Sequence, residues 1–142
     1  MKSRTESHRR TSILIAEDEE RLARLIGKAL ELRGYLAHVV TDGVSAINYI
    51  LQSKPDLVIL DLTLPRLCGQ RICAMLNERQ TQRHLPVVVI SGCSDLIDKL
   101  QLFEMGADDY VTKPFSLDEL MARVEVVLQR SPQRAQPAFA TS

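Results

Sequence analysis

Five side chains capable of chemistry stand at or just beyond the ends of short apolar runs. They are Glu17, Asp18, Asp61, Ser91 and Lys113. Carboxylates are common ligands of hard metal ions, and hydroxyl and ammonium groups commonly donate hydrogen bonds to phosphoryl oxygens. These residues form a site only if the fold brings them to one place.

The apolar runs are typical of buried strands. They are SILIA (12–16), LAHVV (36–40), LVILD (57–61), PVVVIS (86–91) and DYV (109–111). Apolar residues repeat with helical period between and after them, near 19–33, 46–51, 72–76, 96–103 and 117–128. Runs this apolar are expected to be buried on both faces. The pattern therefore predicts a (βα)5 fold of the α/β class, with a parallel five-stranded sheet and helices on each side.

The helical segments carry their own burial and boundary signals. The first is predicted to stop at Gly34 and to bury Leu22, Leu25, Ile26, Ala29 and Leu30. The second is predicted to end before Pro55 and to bury Ala46, Ile47, Ile50 and Leu51. The fifth is predicted to begin with Ser116 as its N-cap and Glu119 three residues later, the spacing of a capping box.

A parallel sheet would bring the five reactive side chains together, because the carboxyl ends of its strands share one edge. Two carboxylates ~4 Å apart repel by about 4 kcal/mol at an effective dielectric of 20, and each raises the pKa of the other unless a cation joins them. Oxygen ligands select a hard divalent ion, so we expect Mg²⁺ here, with Lys113 as a second cation. Glu19 and Glu20 need no such role, because acids are favoured in the first turn of a helix.

The composition fits one soluble globular domain. The chain has 142 residues, of which 45% are apolar and 25% charged. No apolar run reaches the roughly 18 residues of a membrane span, and the charged first residues have no signal-peptide core, so we expect a cytoplasmic protein with no membrane partner. The three cysteines form no CxxC pair, and Cys73 is expected to be a core thiol.

The formal net charge is zero but unevenly distributed. Residues 1–11 carry +3 and residues 131–142 carry +1, which leaves −4 for residues 12–130. This acidic body argues against direct binding of nucleic acid. We expect residues 1–11 to be a disordered basic tail, 12–130 the folded domain, and 131–142 a flexible tail or the start of a linker.

Four motifs in order, ILIAEDEE, LVILDLTLPRLCG, VVVISG and GADDYVTKPF, resemble the receiver domain of two-component response regulators. The resemblance covers about residues 12–130, and the segment 96–130 is most similar to the OmpR/PhoB subfamily. It implies a flavodoxin-like three-layer sandwich with sheet order 2-1-3-4-5. It also implies a signalling protein that promotes its own phosphorylation and dephosphorylation and is not a conventional enzyme.

The resemblance implies a role for each site residue. Asp61 would be the phosphoacceptor. Asp18, Asp61 and the backbone carbonyl of Thr63 would bind Mg²⁺ or Mn²⁺ directly, and Glu17 would bind it through water. Lys113, expected to precede a cis proline bond, and Ser91 would contact phosphoryl oxygens.

A switch and a dimer face are also implied. Ser91 would move toward the phosphoryl group, and Tyr110 would swing inward. Three ion pairs across a two-fold axis would join the fourth helix, fifth strand and fifth helix of two copies: Lys99 with Glu119, Asp109 with Arg123, and Asp108 with Arg130. Glu125 stands where the subfamily has a base and would face Glu104, which argues against a strong dimer.

The implied partner is a sensor histidine kinase or a phosphotransfer protein. Two alternatives stay open: a degenerate receiver that acts as an interaction module without phosphate, which Gly92 in the moving loop also suggests, and the receiver of a longer DNA-binding regulator. A phosphatase of the haloacid dehalogenase type would need an acid where Thr63 stands. A flavodoxin would need a phosphate-binding loop where this chain has EDEE.

Overall fold

The computed structural model describes residues 9–66, 69–78, 84–92, 100–101, 103–104 and 106–130. The strands are β1 Ser12–Ala16, β2 Leu36–Val40, β3 Leu57–Asp61, β4 Val87–Ser91 and β5 Asp109–Thr112. The helices are α1 Glu20–Leu32, α2 Gly43–Ser53, α3 Gly69–Glu78 and the final helix, Leu117–Arg130. The predicted fourth helix lies mainly outside the described residues.

The strands form one parallel sheet in the order β2-β1-β3-β4-β5. This confirms the flavodoxin-like topology. The chain adds β2 on one side of β1 and then returns to add β3 on the other. The order therefore reverses beside β1, and a crevice forms at the carboxyl ends of β1 and β3.

Apolar clusters on the two faces of the sheet make the predicted three layers. On one face, strand residues such as Leu14 and Val58 pack with Ile50 of α2 and Ile72 of α3. On the other face, Ile13, Ile15 and Ile59 pack with Ile26 of α1 and Val124 of the final helix. Burial of each such side chain contributes about 1.5–3 kcal/mol, so the core holds the strand ends in fixed positions.

The predicted burial of every strand on both faces is wrong for β2. Leu36 is 45% exposed and Val39 is 38% exposed. The reason is that β2 is an edge strand that the helices cover only in part. Two predicted core positions on the first two helices are also wrong, because Leu25 and Leu51 are half exposed. Leu100 and Phe103, predicted for the buried face of the fourth helix, are 55% and 47% exposed. On α1, the small residues Ala23 and Gly27 face inward with Ile26 and Leu30.

The helix ends follow local chemistry. The Ser116 hydroxyl accepts a 3.0 Å hydrogen bond from the Glu119 backbone N–H, which confirms the predicted cap. Asp42 caps α2 in the same way, since its carboxylate accepts a 2.8 Å bond from Ser45 N–H. After α1, Gly34 has φ +92°, a conformation that suits a residue without Cβ.

The predicted N-terminal tail ends earlier than residue 11. Arg9 contacts Asp56 at 3.2 Å, the Arg10 guanidinium donates to the Gly34 carbonyl at 3.1 Å, and Thr11 is buried. Residues 9–11 therefore lie against the domain, because both arginines find oxygen partners there. Residues 1–8 and 131–142 lie outside the described part of the chain.

Cys73 is the buried core thiol that was predicted. It is 2% exposed, and burial, with a smaller contribution from Asp108, raises its pKa to about 12. Cys68 and Cys93 lie outside the described residues. Among the described helices, none is both long and apolar enough to cross a membrane.

Candidate functional site

The crevice beside β1 collects the predicted acidic residues. Glu17 and Asp18 follow β1, and Asp61 ends the neighbouring β3. Carboxylate oxygens of all three lie within 4.8 Å of one another. Glu17 and Asp61 are buried, whereas Asp18 is exposed. The sheet therefore places three like charges together, two of them shielded from water.

Among the described residues, Lys113 supplies the positive charge that contacts Glu17 and Asp61. Its backbone N–H donates a 2.8 Å bond to the carbonyl of Ser91, which fixes the chain after β5 next to the end of β4. Its Nζ lies 3.2 Å from Asp61 Oδ2 and 3.3 Å from Glu17 Oε1. Burial opposes the charge, but the two carboxylates outweigh it and raise the pKa of Lys113. The peptide bond to Pro114 is cis, as the resemblance implied.

The carboxylate of Asp61 is held in one orientation. Its Oδ1 accepts 2.9 Å hydrogen bonds from both the backbone N–H and the hydroxyl of Thr63. Burial alone would raise the pKa of Asp61. The Thr63 bonds and the nearby Lys113 ammonium reverse this and lower it. Asp61 is therefore ionised at neutral pH.

The pKa of Glu17 is shifted in the opposite direction to that of Asp61. Its Oε2 accepts a 3.0 Å bond from the Glu19 backbone N–H. Its Oε1 is fully buried and, among the described residues, makes no hydrogen bond. The Lys113 Nζ at 3.3 Å is an ion-pair contact without hydrogen-bond alignment. Burial and the adjacent Asp61 carboxylate raise the pKa of Glu17 to about 7, against the opposing effects of Glu19 N–H and Lys113.

These features fit a hard divalent cation. Three carboxylates face one ammonium group, and one buried carboxylate oxygen lacks a hydrogen-bond donor. A buried acid in this state is costly unless a cation neutralises it. All-oxygen ligands suit Mg²⁺ or Mn²⁺. The backbone carbonyl of Thr63 and a water-mediated contact of Glu17 stay predictions.

The two predicted switch residues lie on β4 and β5, the two strands that follow β3 in the sheet. Ser91 ends β4 and is 2% exposed, and its partner in β5 is Thr112. Tyr110 is 7% exposed and belongs to the apolar cluster that contains Val89 and Ala107. The structure thus has Tyr110 in the inward position.

The predicted dimer-face residues make contacts within one chain. Arg123 lies 3.0 Å from Asp109 and 3.8 Å from Glu119. Arg130 donates to the backbone carbonyl of Asp108 at 3.4 Å. Lys99 lies outside the described residues. A dimer would have to exchange or share these contacts.

Sequence reasoning missed two contributions to the site. The hydroxyl of Thr63 bonds to Asp61, although only the backbone of Thr63 was given a role. Lys113 contacts Glu17 as well as Asp61. A hydroxyl residue two positions after a strand-end acid is the signal for the first contact, because it has the spacing of a side-chain-capped turn.

Comparison with known proteins gives one answer. A family model described as the response regulator receiver domain matches residues 13–125. The response regulator ArlR of Staphylococcus saprophyticus is 41% identical over 124 residues, which cover 87% of this chain and 55% of that protein. The chain thus spans about half the length of the curated relatives it matches.

Solved structures agree with the family. The receiver domain of the Francisella response regulator 1452 aligns with a TM-score of 0.79 and 32% identity, covering 84% of this chain and 98% of that one. DrrB of Thermotoga maritima, an OmpR/PhoB homolog, aligns with a TM-score of 0.78 and 30% identity, covering 86% of this chain and 54% of that one. The chain therefore belongs to the response regulator receiver domain family, and its similarities include the OmpR/PhoB type.

Proposed function

We propose that Asp61 accepts a phosphoryl group from a phosphohistidine of a sensor kinase or phosphotransfer protein. The observation that carries this proposal is a buried carboxylate held by Thr63 at 2.9 Å and lying 3.2 Å from the Lys113 ammonium. In the transfer, the P–N bond of the donor breaks and a P–O bond to Asp61 forms. The protein is then a phosphoacceptor that promotes its own phosphorylation and dephosphorylation, not a conventional enzyme.

The residues of the pocket act by placement and charge. Asp18, Asp61 and Glu17 would hold Mg²⁺ or Mn²⁺, which when bound neutralises negative charge on the phosphoryl oxygens. Lys113 contacts Asp61 Oδ2 at 3.2 Å and would neutralise a further phosphoryl oxygen. The Thr63 bonds to Oδ1 restrict rotation of the carboxylate, so that the other oxygen faces the ammonium group.

The phosphoryl group would be read by Ser91 and Tyr110. Ser91 stands at the end of the strand next to β3, within the same edge of the sheet as Asp61. A hydrogen bond from its hydroxyl to the new dianion would favour the packing in which Tyr110 is buried. Release of the phosphoryl group would favour the other packing. The face that responds comprises the predicted fourth helix, β5 and the final helix.

The remaining functional expectations follow from this role. A cytoplasmic location suits a partner of a kinase. Homodimerisation through the responding face would require Arg123 to exchange or share its contacts with Asp109 and Glu119 of its own chain. If this domain controls a DNA-binding partner or domain, that partner or domain would contact the nucleic acid, and this domain would not.

The test is phosphorylation of the full chain by acetyl phosphate with Mg²⁺, followed by intact-mass spectrometry. We expect one phosphoryl group on the wild type and none on Asp61→Asn. Asp118→Asn, an exposed carboxylate change in the final helix, is the matched control and should react like the wild type. A wild type that gains no phosphate would contradict the proposal and favour the phosphate-independent interaction module.

A further inference from the structure

A groove lies away from the phosphoacceptor, between α1 and the edge strand β2. It has a volume of about 540 Å³. Its apolar lining includes Leu25, Ala37 and Val39, of which Leu25 and Val39 are 49% and 38% exposed. An apolar groove next to an edge strand offers a second chain both side-chain contacts and backbone hydrogen bonds.

The backbone of β2 offers hydrogen bonds on this side. Leu36 N–H donates to the Thr11 carbonyl, and Glu17 N–H donates to the Val40 carbonyl. In a parallel ladder, alternate residues face the same neighbour, so Leu36, His38 and Val40 bond to β1. The N–H and C=O groups of Ala37 and Val39 therefore point to the outer edge, where no strand among the described residues pairs with β2.

The sequence of β2 does not protect this edge. Natural sheets commonly protect edge strands with lysine, proline or a bulge. The strand LAHVV has no lysine or proline, and its five residues pair with β1 in unbroken register. The edge is therefore suited to accept an added strand.

The groove is bordered by positive charge. Arg21, Arg24 and Lys28 of α1 line it, with Glu31 as the acid among the lining residues. Arg24 has an exposed 4.0 Å contact with Glu20, which is too weak to neutralise it. The domain as a whole is acidic, and this groove is an exception to it. Its local surplus of cations favours an acidic partner.

We propose that the groove binds an extended acidic segment of a partner protein by strand addition to β2. The backbone of the segment bonds to Ala37 and Val39, its apolar side chains cover Leu25 and Val39, and its carboxylates pair with Arg24 and Lys28. A second copy of the chain is a poorer occupant. Edge-to-edge pairing around a two-fold axis would bring the two sets of cations together.

The test is an NMR titration of the ¹⁵N-labelled full chain with a short capped peptide that alternates glutamate and valine. We expect shifts of the Ala37 and Val39 amides, slower hydrogen exchange at both, and weaker binding at high salt. A peptide that alternates lysine and valine should not bind. Absence of these shifts up to about 1 mM peptide, or equal binding of the lysine peptide, would overturn the proposal.

Variants separate the groove from the rest of the surface. Arg24→Glu should weaken binding of the glutamate peptide by about tenfold. Arg71→Glu, the same charge change at an exposed residue of α3, should leave binding unchanged. Val39→Pro removes an edge N–H without removing a bond to β1, and it should abolish binding. Equal affinity in all three variants would contradict the assignment. Broadening of the Ala37 and Val39 signals on concentration of the protein alone would identify a second copy and also overturn it.

Discussion

Buried or half-buried carboxylates occur at both ends of this sheet, but they differ in how well their oxygens are satisfied. At the amino end, Asp56 precedes β3 and accepts a 2.7 Å bond from Ser12 N–H, while Arg9 covers its other oxygen at 3.2 Å. Asp108 precedes β5 and accepts a 2.8 Å bond from Val87 N–H. Each of these acids caps the first residue of a neighbouring strand.

At the carboxyl end there are more carboxylates than positively charged or hydrogen-bonding partners for them among the described residues. Glu17 and Asp61 share the one ammonium of Lys113, and Glu17 Oε1 has no hydrogen bond among the described residues. Burial of an acid therefore does not by itself mark a functional site. What distinguishes the carboxyl end is charge that the protein leaves unbalanced, and this needs a ligand.

The largest expected effect on stability is at the satisfied end. Asp56→Ala removes the partner of both Ser12 N–H and Arg9, so we expect a loss of about 3 kcal/mol in the free energy of unfolding. Urea denaturation measures it. Asp56→Asn keeps an acceptor for Ser12 and should lose less. If Asp56→Ala is as stable as the wild type, the two ends do not differ in the way described.

At the carboxyl end of the sheet, removing a charge is expected to increase the free energy of unfolding. Glu17→Gln removes a buried charge and keeps an acceptor for the Glu19 N–H, so the metal-free variant should gain about 2 kcal/mol at pH 8. The stabilisation by Mg²⁺ should shrink at the same time. Denaturation with and without Mg²⁺ tests both results. A less stable metal-free variant would argue that Glu17 is already satisfied.

The pH dependence of the metal-free protein sharpens the same contrast. Folding raises the pKa of Glu17 from 4.5 to about 7, so the folded chain binds this proton more tightly than the unfolded chain. The resulting stability is fully present below pH 4.5 and is lost as the pH rises through about 7. The slope is at most about 1.4 kcal/mol per pH unit.

Asp61, whose pKa is lowered, contributes stability that is lost only as the pH falls below its ordinary range. The two acids therefore act in different pH windows. Unfolding measured across the Glu17 window should show the decline in the wild type and not in Glu17→Gln. A decline of equal size in the variant would assign it to other groups.

A substitution away from both ends of the sheet gives a reference for the size of these effects. A Cβ at Gly27 of α1 would lie 3.7 Å from Ile15 Cδ1, an ordinary contact. Gly27→Ala should therefore gain about 0.5–1 kcal/mol by reducing the backbone entropy of the unfolded chain. Thermal unfolding measures this gain. A loss would show that the helix packs more tightly on β1 than this spacing indicates.

Most of the fold was predictable because its signals are local and agree with each other. Five apolar runs alternated with helical periodicity, and each predicted strand is present within one residue at either end. Strand β4 begins at Val87, one residue later than predicted, and β5 extends to Thr112. The strand order was known only from the resemblance to the family, because spacing alone does not fix which strands are neighbours.

The site was predictable where it depended on strand ends. Asp18, Asp61 and Glu17 come together because β1 and β3 are parallel neighbours. The exposure of Val39 and Leu25 was not predictable, because an apolar residue looks the same in sequence whether a neighbour covers it or not. The contact of Arg9 with Asp56 spans 47 positions, and no local pattern indicates it.

Alkylation of the buried Cys73 thiol can be used to measure how often α3 separates from the sheet. Alkylation requires both access and a thiolate, and a group with pKa about 12 that is 2% exposed has neither at neutral pH. Reagent can therefore reach this sulfur only when α3 separates from the sheet. The rate of Cys73 labelling would then report how often that half of the core loosens, in the absence and in the presence of acetyl phosphate.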